Sequence, residues 1–159
     1  MVEISMEVNG RAVTTEVDGR MLLSDFLRGV IGLTGTHVGC EHGYCGSCTV
    51  LIDGASARSC LMLAAQANGS MVSTVEGLAD GEQLSIVQQA FKSCHGLQCG
   101  FCTPGLLMAV SEMAAETASS PSRDLIREQL AGNLCRCTGY HQIVDAVEQA
   151  LGSTSRGPR

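Results

Sequence analysis

The chain has 159 residues and a formal net charge of −6, with 45% hydrophobic residues but no Trp and only 3% aromatics. That length suits one or two small domains cored by Leu, Val, Ile, Met and Ala, and is too short for a large enzyme pocket. Ten scattered Lys and Arg residues form no basic stripe for nucleic acid, and no apolar run approaches the roughly 18 residues of a membrane span. The opening MVEISMEVNG lacks the basic start and apolar middle of a signal peptide. The expected location is therefore the cytoplasm, where disulfides rarely persist. Nine cysteines are too many there to be ordinary core residues, and an odd number fits a disulfide framework poorly. Metal binding is the leading expectation.

In chain order, Val2, Ile4, Met6 and Val8 alternate with polar residues and predict a strand. Asn9-Gly10 predicts a hairpin turn, with Ala12 to Val17 as the returning strand. A short helix is expected over Leu22 to Val30, with Leu23, Phe26, Leu27 and Val30 on one stripe. A Gly-rich cysteine loop leads into a strand at Thr49 to Asp53 and a turn at Asp53-Gly54. A helical turn near Leu61 to Ala67 and a strand near Met71 to Val75 complete a mixed α+β half, residues 1–76. Residues 77–82, GLADGE, read as a linker. The period then becomes helical: Leu84, Val87, Ala90 and Phe91 share one face. Thr103-Pro104 reads as the cap and first residue of a helix through Leu107, Val110 and Met113. A third helix is expected near Leu125 to Leu130, and a fourth over Ile143 to Leu151. Residues 83–152 thus form a helical bundle, and 153–159 an expected disordered tail.

Cys40, Cys45, Cys48 and Cys60 have the spacing C-x4-C-x2-C-x11-C, the order of plant-type ferredoxins that hold a [2Fe–2S] cluster. A [2Fe–2S] cluster with its two sulfides and four thiolates carries about −2 formal charge when oxidised, which a glycine-bearing loop can offset by aiming backbone N–H groups at sulfur. The x2 pair, Cys45 and Cys48, can share one iron, with Cys60 arriving from beyond the strand. A four-cysteine zinc site is the alternative, although zinc knuckles come as two short pairs and Cys60 stands alone. His42 reads as a loop residue rather than a Rieske-type ligand. Cys99, Cys102, Cys135 and Cys137 form a second set, C-x2-C-x32-C-x-C, with each pair just ahead of a helix. Helix N-termini favour an anionic cluster. The C-x-C pair points to two ligands of one iron, and the residues alone establish a second metal site. Cys94 reads as a free thiol.

GCEHGYCGSCTV…RSC, followed by GLQCGFCTPG and NLCRCTGY, resembles the small iron–sulfur subunit of the xanthine oxidase family of molybdenum hydroxylases over about residues 3–151. All eight ligand positions of that family are cysteine here. The resemblance implies a β-grasp ferredoxin domain followed by a four-helix domain, each with one [2Fe–2S] cluster. It implies that the helical-domain cluster lies nearest a molybdopterin-type molybdenum cofactor on a separate large subunit. Gln98 and Cys137 match the residues that touch the pterin. The ferredoxin-type cluster would pass electrons to FAD on a medium subunit, in a heterotrimer that commonly pairs as a dimer of heterotrimers. No catalytic residues of its own are implied. Glu41, His42, Gly43 and Tyr44 make the first loop similar to those of heterocycle-oxidising members. A free-standing two-cluster electron carrier is the alternative.

Overall fold

The computed structural model describes residues 1–116 and 121–154, the side chains of 153 and 154 excepted. Two hydrophobic cores lie in sequence order, one under a sheet and one among helices. Strands β1 (Val2–Val8), β2 (Arg11–Val17), β3 (Thr49–Ile52), β4 (Ala55–Arg58) and β5 (Met71–Ser73) form one sheet in the order β2-β1-β5-β3-β4. The β1–β2 hairpin turns at Asn9 and Gly10, both at positive φ, as the Asn-Gly pair predicted. β5 returns parallel to β1 and antiparallel to β3. Ile4, Met6 and Val8 are buried, while Val2 lies exposed at the end of the same face.

Helix α1 (Leu23–Asp25) continues directly into a π-type turn, Phe26–Val30, in which Ile31 N–H reaches Phe26 O, five residues back. The wider turn breaks the expected 3.6-residue stripe: Leu23, Phe26 and Leu27 are buried, but Val30 turns outward. Strand β4 was not expected from the sequence. Its short, half-exposed ASAR pairs with β3 from Thr49↔Arg58 to Ile52↔Ala55, closed by Asp53-Gly54.

Among the described residues four helices follow: α2 (Ile86–Ser93), α3 (Thr103–Glu116), α4 (Arg123–Leu130) and α5 (His141–Thr154). Ser85 and Gln88 form a reciprocal capping box on α2. Ser122 caps α4 through Leu125 N–H, so that helix starts two residues before the expected one. Phe91, Leu106, Val110, Ile126, Leu130, Ile143 and Val147 fill the space between the helices. Val75 and Leu78, at the boundary of the expected linker, pack against this helical core. Helix α5 extends to Thr154, into the stretch expected as a tail; residues 155–159 lie outside the described residues. Among the described residues no helix is long and apolar enough to cross a membrane.

Candidate metal centres

The β3–β4 hairpin explains how one distant cysteine reaches the first loop. Cys48 precedes β3 and Ser59 follows β4, and Ser59 N–H and Oγ–H both donate to the Cys48 carbonyl, at 3.3 and 2.8 Å. Cys60 is thereby delivered beside Cys48, whose thiol acts on that of Cys60. Both are buried. Burial, reinforced by the Cys48 contact, pushes the Cys60 thiol up to about 11, while the Gly43 N–H opposes the rise. Gly43 has φ +79°, and a Cβ there would collide with Leu61, so this N–H donor needs glycine. Cys40 behaves in the opposite sense. Backbone N–H groups of Cys45, His42 and Tyr44 point at its sulfur and lower the thiol to about 6, with Cys45 N 3.4 Å from Cys40 Sγ. His42 engages the Cys40 carbonyl through Nδ1 and stacks on Tyr44.

The second set lies at two helix N-termini. Leu106 N–H reaches Cys102 O at 3.1 Å, which makes Cys102 the residue that opens α3. Thr103, expected as the cap, lies one residue inside, and its buried hydroxyl has no protein partner. Val144 N–H reaches Tyr140 O at 2.9 Å, so Tyr140 opens α5 directly after the Cys135–Cys137 loop. Phe101 N–H and the Cys137 thiol hold the Cys99 thiol below its ordinary range, and the same contact raises Cys137. Burial pushes Cys102 up to about 12, and its contact with Cys135 adds to the rise. Burial also raises Cys135, but the Thr138 hydroxyl, the N–H groups of Thr138 and Cys137, and the Cys102 thiol outweigh it and lower the thiol.

Within each set the thiols influence one another, most directly Cys40 with Cys45, Cys48 with Cys60, Cys99 with Cys137 and Cys102 with Cys135, and more weakly Cys40 with Cys60 and Cys99 with Cys102 and Cys135. Among the described residues they do not gather three or more to a point, as around a single ion. The hairpin brings Cys60 to Cys48, and the two helix starts bring Cys102 to Cys135. Two pairs suit a binuclear cluster, in which each iron takes two thiolates. The N–H groups aimed at Cys40, Cys60, Cys99 and Cys135 suit its negative charge.

The two sets are joined by a seam of backbone groups. Leu134 N–H donates to Cys45 O at 2.8 Å, linking the residue before Cys135 to a cysteine of the first loop. Asn133 Nδ2 donates to Gly46 O at 3.0 Å, and Arg58 spans from Thr49 Oγ1 to Gly132 O at 2.7 and 2.8 Å. His37 Nδ1 pairs with Phe101 O at 2.8 Å, its ring stacked on Phe101 with centroids 4.9 Å apart. Sequence reading did not single out Asn133, Arg58 or His37, each of which bonds a backbone carbonyl far along the chain. Gln98, Cys99 and Cys137 are exposed together with Leu97 and Phe101. Cys94 sits at the end of α2, half-buried, and donates to Gln149 Oε1 on α5 at 3.0 Å.

Residues 6–85 match the family described as "2Fe-2S iron-sulfur cluster binding domain", and residues 74–148 match "[2Fe-2S] binding domain". The caffeine dehydrogenase subunit gamma of Pseudomonas sp. (strain CBB1) is 56% identical over 153 residues, covering 95% of this chain and 92% of the relative. The nicotine 6-hydroxylase small subunit of Paenarthrobacter nicotinovorans is also 56% identical, over 95% and 90% of the two chains. A crystal structure of quinoline 2-oxidoreductase from Pseudomonas putida 86 superimposes with a TM-score of 0.93 at 52% identity, covering 98% of this chain and 97% of the other. The chain belongs to the small iron–sulfur subunits of the xanthine oxidase family of molybdenum hydroxylases. This small subunit combines a ferredoxin-like and a helical [2Fe–2S]-binding domain, and its role is electron transfer within an oxidoreductase complex.

Proposed function

We propose that Cys40, Cys45, Cys48 and Cys60 hold one [2Fe–2S] cluster, that Cys99, Cys102, Cys135 and Cys137 hold another, and that electrons pass from the second to the first. When bound, each cluster supplies a one-electron site. The observation that carries the reading is the 2.8 Å bond from Leu134 N–H to Cys45 O, which puts the two ligand loops in direct contact. The polypeptide's part is to hold eight thiolates in four pairs, aim N–H donors at them and keep the two loops in register.

Electrons would enter at the exposed face formed by Gln98, Cys99 and Cys137, against a molybdopterin-type cofactor on a large partner subunit. They would leave from the first set, beside exposed Tyr44 and Leu61, toward FAD on a medium subunit. The chain divides on this reading at residues 77–82, between units 1–76 and 83–152, in a cytoplasmic heterotrimer. The two separate cores support the division. An N-heterocycle is the proposed substrate class of the complex, supported by the caffeine, nicotine and quinoline in the relatives' names.

Purification of the native complex with a panel of N-heterocycles tests the reading. Expected are a molybdopterin protein, a flavoprotein, two distinct [2Fe–2S] EPR signals on reduction, and turnover of at least one heterocycle. Recovery of a lone two-cluster chain would make it a free-standing carrier, and absence of both signals would remove the metal assignment.

A further inference from the structure

The geometry points to Thr138 as a positioning residue that sets the reduction potential of the helical-domain cluster through a hydroxyl hydrogen bond to Cys135 Sγ. This rests on the ligand assignment proposed above. Thr138 Oγ1 lies 3.1 Å from Cys135 Sγ and 3.1 Å from the backbone N of Tyr140. The direction of each bond follows from the inventory of protons. Tyr140 N–H can only donate, so Thr138 Oγ1 accepts from it. A cysteine bound to iron is a thiolate with no proton to give. The single hydroxyl proton of Thr138 is therefore donated to Cys135 Sγ, and it stays on Thr138 throughout.

The surroundings hold that hydroxyl in one orientation. Thr138 is buried, so water does not compete freely for its proton. Its acceptor side is fixed by Tyr140, whose own phenol oxygen accepts Cys135 N–H at 2.8 Å and donates to Asn133 O at 3.1 Å. Cys135, Thr138 and Tyr140 thus form a closed ring of bonds around one sulfur. Apart from the Cys102 thiol, itself a proposed ligand, the other donors aimed at Cys135 are backbone N–H groups, which no substitution short of proline removes.

The energetic consequence concerns the two redox states differently. When one electron arrives from the upstream donor, negative charge on the cluster sulfurs increases, and a hydrogen bond to a more negative acceptor strengthens. The bond therefore favours the reduced state and raises the potential, one of the general levers on such clusters. Removing it should make reduction harder without changing which four cysteines bind.

The test is a redox titration followed by EPR on the complete complex carrying Thr138→Val, Thr138→Ser or the native residue. Thr138→Val should shift the reduction equilibrium of the helical-domain cluster about tenfold toward the oxidised state, about 59 mV for one electron. The first cluster should titrate unchanged, and Thr138→Ser should titrate as native. A Val variant with an unmoved potential, a Ser variant shifted as far as Val, or equal shifts in both clusters would overturn the inference. If Thr138→Val does not assemble, Thr138→Ala against Thr138→Ser makes the same comparison. Two normal EPR signals with no potential shift would defeat only the role of Thr138; no signals at all would defeat the ligand assignment as well.

Discussion

Tyr140 holds Cys135 by its backbone: the phenol oxygen accepts the Cys135 N–H at 2.8 Å while its proton goes to the Asn133 carbonyl at 3.1 Å. The same Asn133 reaches Gly46 and Thr49 with its side chain, so one phenol braces the second ligand loop against the first. Tyr140→Phe keeps the ring and the helix start but leaves an N–H and a carbonyl without their partner. Each such loss in a part-buried site costs about 1–3 kcal/mol. The cluster-loaded variant should melt several degrees lower and lose the helical-domain EPR signal first on warming. An unchanged melting temperature would show that water replaces the phenol at no cost.

Gly46 carries a sharper constraint. It has φ +75°, and a Cβ there would meet the Gly132 carbonyl oxygen from the helical half. Gly46→Ala should therefore cost the left-handed strain, about 1–2 kcal/mol, plus displacement of the seam. Gly10→Ala provides the contrast, because Gly10 has φ +77° with open space around its Cβ position. The expected order of thermal stability is native, then Gly10→Ala, then Gly46→Ala, measured on the same cluster-loaded chain.

The two ligand sets should be separable. Cys45→Ser is expected to remove the ferredoxin-type EPR signal and block onward electron transfer, with the helical-domain signal retained. Cys102→Ser should do the converse and uncouple the molybdenum site. Iron and acid-labile sulfide should each fall by about half in either variant, because each cluster contributes two of each. Loss of both signals from folded protein would contradict independent sites.

Ser85→Ala tests the helical half away from the metal. Ser85 Oγ accepts Gln88 N–H at 3.3 Å, and Gln88 Oε1 accepts Ser85 N–H at 2.9 Å. Loss of the cap should cost about 1 kcal/mol, visible as a lower denaturation midpoint, with both EPR signals unchanged.

Much of this molecule was legible in its sequence because its strongest signals are local. Asn9-Gly10 turned where expected, and Phe91, Val110 and Val147 lie in the core on their expected helical faces. The eight cysteines were readable as two sets because their spacing is a property of the loops that carry them. The approach of Cys60 to Cys48 was not, since it comes through a hairpin whose second strand, ASAR, is too short and too exposed to announce itself. The seam was equally hidden. Most of its acceptors are carbonyls, those of Cys45, Gly46, Phe101 and Gly132, and every residue has a carbonyl. The capping box at Ser85 was readable from S-x-x-Q and simply carries less weight than the apolar stripe beside it.

The meeting of Gly46, Gly105 and Gly132 has a consequence for recombining such subunits. A Cβ on Gly105 would strike the Gly46 carbonyl, just as one on Gly46 would strike that of Gly132. The two halves are therefore not interchangeable cassettes. A chimera that joins this ferredoxin half to a foreign helical half would need matching main-chain surfaces at these three positions before any side chain is considered. Crossover points inside Gly77–Glu82 would preserve each core and still fail wherever the donor places a larger residue at the position of Gly105.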